Sequence, residues 1–391
     1  MMTYKICLMI SGLLSCSFLI AQKSYFQPKA SFEANTLLTS PVYIDLHKPT
    51  SPTVSLRDFV EIVEVIPLAS EENALISNIS KVIVADGKYY IADFRNRSSL
   101  KVFDASGNYI GEVGSIGRGP GEYINVTDIE NDPYSSSLYL LSNRSQKLFN
   151  YQLDGTFINS SFVQFYPAEF AILDKGHFAF YTNFNTSDLN ESHNLLITDR
   201  KLTIQQKLFP YPMAKNGNKS GFGFSGFLNR FGQDVLYTSA FQDTIYQINT
   251  NTTQVQYILH LENVFRREKH TPDQLSKYNF IGKLHETSTT LSIGFKKEGL
   301  LHHAFWRKKE RILIDNRHCS PHALNHLLLF EPKGIKDQAF INEISLSSIE
   351  YLQDKYPKLY QELKVDYPEL YSAISRMKDT DNSILVVYKI R

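Results

Sequence analysis

The stretch GSIGRGPGEY at residues 114–123 places four glycines in its first eight positions. At that density a backbone either approaches a bound group closely or turns sharply. A phosphate cradle of the P-loop type needs a Lys-Ser/Thr pair after its last glycine and a following helix whose amides hold the anion. The pair is missing here, a β-like run follows, and Pro120 lacks an amide that such a cradle would use. The loop therefore reads as a connection between two sheet units. Arg118, Glu122 and Tyr123 ride on it as candidate ligand-binding residues.

Histidines offer a second kind of chemistry. His318, His322 and His326 recur every fourth residue, a spacing that would align three imidazoles on one helical face as metal ligands. Pro321 interrupts such a helix, and no H-E-x-x-H arrangement accompanies it. The expectation is no metal, with these three histidines as the weak candidates; His285-Glu286 is an isolated pair. No G-x-S-x-G elbow occurs. Asp93, Asp104 and Asp154 lie in turns, where a carboxylate more simply caps its own backbone than acts in catalysis. Tyr356, Tyr360, Tyr367 and Tyr371 recur at near-helical spacing, as in a helix packed over a propeller face or a lid over a central pocket. No cofactor is implied, and no catalytic motif argues for an enzyme.

The elements that carry these residues are short strands. FVEIVEVIPL (59–68) alternates apolar and charged residues in its first half, the period of a half-buried strand. Residues 79–114 then split into four short runs separated by ADGK, DFRNRS and DASGN, each rich in turn formers. The unit recurs: VFDASGNYI aligns with NYQLDGTFI so that Gly155 falls 48 residues beyond Gly107. Four strands repeating at 40 to 50 residues are the mark of propeller blades. Weaker copies occupy 170–209, 227–261 and about 290–330, and DNSILVVYKIR (381–391) is one further strand. The expected fold is all-β, a six-bladed β-propeller over 59–391 whose last blade joins strands from both parts of the chain. Thr271-Pro272 predicts a helix near 271–286, and the apolar spacing interrupted by Pro357 and Pro368 predicts helical inserts over 347–378.

Composition narrows the setting. The 41 basic residues nearly cancel the 40 acidic ones, so there is no general field to draw nucleic acid or an anionic membrane. The N-terminus has Lys5 followed by an apolar run from Ile6 to Ile20, shorter than a membrane span and suited to a secretory signal over 1–21. Ala21 fits a signal peptidase site; LLSC at 13–16 is the alternative, a lipobox that would lipidate Cys16. Because the apolar run continues past Cys16, cleavage after Ala21 is favoured. Residues 22–58 read as a tether or lead-in. Cys319 is the one cysteine outside the first 16 residues and reads as a small buried hydrophobe.

The segment VIPLASEENALISNISKVIVADGKYYIADFRNRSSLKVFDASGNYIGEVGSIGRGPGEY (65–123) and the ending DNSILVVYKIR resemble the NHL-like, six-bladed β-propeller proteins exported by Bacteroides-type bacteria. The resemblance is specific over about residues 59–160. It implies a fold and a place outside the cytoplasm, as periplasmic, surface or secreted protein, and carries no activity with it. The functional expectation is a monomeric binding module at the cell envelope for a glycan, peptide or partner protein. A lyase or hydrolase with an axial site is the alternative, and a scaffold docking through the C-terminal insert is a third.

Overall fold

The computed structural model describes residues 40–47, 54–95, 98–185, 187–189, 191–211, 227–231, 234–239, 242–264 and 279–391. The signal segment and its lipobox alternative lie outside them. Six sheets, each with four antiparallel strands, stand around an axis as a six-bladed propeller, and in the first five blades those four strands follow one another in the chain. Blade 1 runs from Lys81 to Glu112, blade 2 from Asp128 to Phe162, blade 3 from Glu169 to Pro210, blade 4 from Leu228 to His260 and blade 5 from Phe280 to Asp315. Blade 6 is assembled from both parts of the chain. Gly334–Lys336, Ala339–Ile344 and Ile384–Ile390 form three of its strands, and Val60–Pro67 is added as the outermost. In blades 1 to 5 the first strand lies nearest the axis, and in blade 6 Gly334–Lys336 takes that place.

The blades adhere through six apolar layers, one at each junction. Blades 2 and 3, for example, share Leu141 and Leu148 with Phe170, Phe178 and Phe180. The abundant Phe and Tyr side chains fill these wedges: Phe170 stacks on Phe180 and meets Phe178 edge-on. The repeated turn is also visible in atoms. The same amide-to-carbonyl bond across four residues closes the outer hairpin of three blades, from Asp104 to Asn108, Gln152 to Thr156 and Asp199 to Thr203, and blade 4 has a one-residue shorter version from Asn249 to Thr252. Asp104 accepts the amides of Ser106 and Asn108 at 2.8 and 2.9 Å, and Asp154 that of Thr156 at 2.9 Å. These carboxylates stabilise turns, and Asp93 likewise accepts the Arg95 amide.

Two expectations change. The helix predicted near 271–286 is not formed in its described part, where Phe280–Glu286 is the axial strand of blade 5; residues 271–278 lie outside the described set. Phe280, Ile281, Leu284 and Glu286 are buried between neighbouring sheets, so tertiary packing overrides the helix-start signal. The lead-in, in turn, is partly built into the fold. Val42–Asp45 pairs in parallel with Thr253–His260 at the outer edge of blade 4, and Val54 bridges Cys319 just beyond blade 5. Val60–Pro67 then enters blade 6, so the described residues of this lead-in lie at the outside of blades 4, 5 and 6 in turn. Covering the outer edge of blade 4 removes an unpaired strand edge.

The C-terminal insert consists of three helices, Leu346–Lys355, Pro357–Asp366 and Pro368–Ile374. Ser345 caps the first through the Ser348 amide, and each proline starts a new helix at its first position. Their buried residues, among them Ile349, Leu352, Tyr360 and Leu363, join the apolar layer between blades 5 and 6. The helices therefore extend an inter-blade core, and none of their residues reaches the axis.

Candidate functional site: the axial cavity

The axial strands surround a cavity of about 180 Å3, open to solvent, lined by residues from all six blades. Lys81 comes from blade 1, Asp128 and Glu130 from blade 2, and Glu169 from blade 3. Arg230 comes from blade 4, Lys283 and His285 from blade 5, and Lys333 from just before the axial strand of blade 6. Each stands within or just before a short apolar strand. This side-chain alternation sends the charged residue to the axis while its neighbours fill the wedges.

Part of the cluster holds the ring together. Lys81 Nζ donates to Asp128 Oδ1 at 2.9 Å and Glu130 Oε1 at 2.6 Å, joining blades 1 and 2. Asp128 Oδ2 accepts the Phe170 amide of blade 3 at 3.0 Å. Glu169 Oε2 accepts the amides of Phe227 and Leu228 at 2.9 and 3.1 Å, joining blades 3 and 4. Between blades 6 and 1 the Val82 amide donates to the Lys333 carbonyl at 2.7 Å. Strand approach there is so close that a Cβ on Gly334 would lie 2.1 Å from the Val82 carbonyl oxygen.

Burial and charge act together on the titratable groups. Desolvation works against the Lys81 ammonium, but Asp128 and Glu130 outweigh it and raise its pKa above the usual lysine value. Burial raises the Glu130 pKa, with Lys81 opposing. His285 is held well below 6.5 by burial first and then by Lys283, His303, Lys81 and Lys333, so it is neutral at pH 7. Its Nδ1 is buried without a hydrogen-bond partner among the described residues. Lys283 pairs with Glu331, and Lys333 with Glu343 at 3.2 Å.

The residues singled out from the sequence lie elsewhere. Arg118 is exposed, and neither it, Glu122 nor Tyr123 lines the cavity. Glu122 Oε2 accepts the Gly119 amide at 2.7 Å, and a Cβ on Gly117 would sit 2.0 Å from that same oxygen. The glycines thus let the loop fold around its own carboxylate. Tyr123 is fully buried in the layer between blades 1 and 2. The histidines are parted as well. His322 caps the short helix Ala323–Leu327 through the Leu324 amide, His326 stacks on Tyr356 at 4.3 Å, and His318 precedes the helix. Among the described residues no group of three or more His, Cys, Asp or Glu is placed to hold a metal. Cys319 is partly buried against the blade 5–6 layer, with its thiol pKa pushed up to about 12 by burial and by Asp315.

A six-bladed propeller with a narrow, charged axial cavity is thus the class of protein that fold and site define. Within that class the chain belongs to the DUF4934 family, a domain of unknown function, which matches residues 41–389. No curated protein matches the chain. Among solved structures it is similar to a Bacteroides fragilis protein designated as exported, with a TM-score of 0.72 and 18% identity over 90% of this chain and 100% of the other. A member of the DUF4221 family from Bacteroides vulgatus superposes with a TM-score of 0.54 and 10% identity over 86% and 99% of the two chains. These likenesses establish the propeller arrangement. No helix among the described residues is long and apolar enough to cross a membrane.

Proposed function

We propose that the chain is a ligand-binding module of the cell envelope, acting as a monomer, and that its site is the axial cavity. The observation that carries this reading is the convergence of charged side chains from all six blades on one axial space. A cavity of about 180 Å3 is smaller than the roughly 300–1,000 Å3 of pockets that swallow a drug-sized molecule. It suits one end group of a peptide or glycan, or a molecule of one to two residues. Rigid closure of the ring favours binding without rearrangement, because the ordering cost is met on folding.

Peptide and glycan arrays read against the wild type, Lys283→Met and Glu130→Gln test the reading. A binder that loses at least tenfold affinity in both variants, with melting temperatures near that of the wild type, supports it. Array binders indifferent to both substitutions refute it.

An enzymatic reading has one observation in its favour: His285 at the cavity wall is neutral at pH 7, as a general base must be. Turnover of a bound ligand by the wild type and its loss in His285→Ala would establish that role.

A further inference from the structure

Pairing within the wall decides what charge a ligand of the cavity can carry. Lys81 is bridged to Asp128 and Glu130, and Arg230 of blade 4 also favours the ionised form of Glu130. Glu169 accepts two backbone amides. Lys283 and Lys333 are ion-paired with Glu331 and Glu343. His285 adds no charge, being neutral at pH 7. The lining is thus dense in charge yet compensated, group by group, from within the protein. A ligand of either sign would have to break one of these pairs or stand uncompensated among them, and both are costly in a partly desolvated space. A zwitterion would have to do so at both ends.

These pairs are satisfied in charge but keep hydrogen-bonding capacity. An ammonium has three N–H donors and a carboxylate about four lone-pair sites. Lys81 directs two donors at Asp128 and Glu130, and Lys283 and Lys333 each have one carboxylate partner. Donor and acceptor capacity from several blades therefore borders one space, beside apolar surface from Val82, Ile83 and Phe94.

We infer that the axial cavity binds one uncharged sugar ring, a free monosaccharide or the end residue of a glycan, whose hydroxyls bridge the paired charges without displacing them. This rests on the cavity being the ligand site and names the class of ligand. A hydroxyl both donates and accepts, so it can take an N–H from a lysine and give its own proton to a neighbouring carboxylate. Hydrogen bonds to ionised groups are roughly twice as strong as neutral ones, which offsets the water lost from the wall. The C–H face of the ring suits the apolar surface. A volume of about 180 Å3 that opens to solvent admits a terminal residue with the rest of its chain outside.

The test uses the full chain. A thermal-shift screen of neutral mono- and disaccharides is followed by calorimetric titration of each hit beside its uronic acid and amino-sugar analogues, which place a negative or a positive charge on the same ring. The inference expects the neutral ring to bind at least tenfold tighter than either, with an affinity that changes by less than about twofold between low and high salt because the ligand has no charge to screen. Glu130→Gln removes a counter-charge and should narrow the discrimination against the uronic acid. Lys283→Met strands Glu331 and should narrow that against the amino sugar. A hit that tolerates a methyl aglycone supports a glycan end, and one that rejects it supports a free monosaccharide. A uronic acid or amino sugar that binds as tightly as its neutral analogue overturns the assignment. It leaves the binding-module reading intact if the cavity variants weaken it. A complete screen without a neutral hit also overturns the assignment, whereas the reading itself falls only if the array binders are indifferent to the cavity variants.

Discussion

Acidification should unfold this protein partly through a single buried imidazole. His303, on the third strand of blade 5, is 4% exposed, lies 3.1 Å from Ser292 Oγ through Nε2 and packs edge-on against Phe305. Burial lowers its pKa from 6.5 to about 3. The folded state therefore binds a proton less readily than the unfolded chain, so the neutral imidazole's contribution to stability is present above pH 6.5. It is lost progressively as the pH falls from 6.5 towards 3. Between pH 7 and pH 4 the linkage relation gives a loss of about 3 kcal/mol from this group alone. The control is the double variant Ser292→Ala/His303→Leu, which removes both partners and leaves no buried polar group stranded. Urea unfolding at pH 7, 5.5 and 4 should show the wild type losing about 3 kcal/mol more than the double variant over that interval. Parallel pH dependence in the two proteins, or a His303 ring that titrates near 6.5 by NMR in the folded state, would refute the reasoning.

Two further outcomes follow from the axis and the glycine loop. Lys81→Met leaves Asp128 and Glu130 buried side by side without their shared cation, a loss of about 3–5 kcal/mol by urea unfolding. Adding Glu130→Gln should recover part of it, and a single-variant loss under about 1 kcal/mol would show that the bridge does not hold blades 1 and 2. Gly121 has φ +74° and a Cβ there would fall 2.9 Å from Phe157, while Gly87 has φ +67° with nothing within 4 Å. Gly87→Ala should cost about 1 kcal/mol from backbone strain alone and Gly121→Ala about 2–3, read from thermal melting; equal losses would contradict the packing described for the loop.

The architecture was legible because it is repeated. The outer hairpins of blades 1, 2 and 3 share one turn, and the alignment of Gly107 with Gly155 reports a hairpin built the same way twice. The axial site was not legible, for a physical reason. Lys81, Glu130, Glu169, Lys283 and Lys333 are isolated in sequence, and only closure of the ring brings them together. The available signal was a charged residue at or within the short apolar run that opens each repeat, as in SKVI, TDIEN and EFAI. That signal is faint because buried ion pairs between strands look the same. The glycine loop drew attention for the opposite reason: its composition is conspicuous, yet Glu122 spends its hydrogen-bonding capacity on the loop's own amide. The histidine spacing carries little information by itself because periodicity along a chain presumes a continuous helix, which Pro321 argues against, and the helix here spans only Ala323–Leu327.

Blade 6 takes Val60–Pro67 from early in the chain and its other three strands from beyond residue 333. That pairing imposes an order of events on folding. A polypeptide delivered from its N-terminal side forms five blades as an open arc, with the faces of blades 1 and 5 still wet and the strand Val60–Pro67 waiting for a partner. Pairing so remote in sequence is slow to find, and exposed strands are sticky in the interval. Closing the ring thus requires Ile384–Ile390, the strand that Val60–Pro67 pairs with.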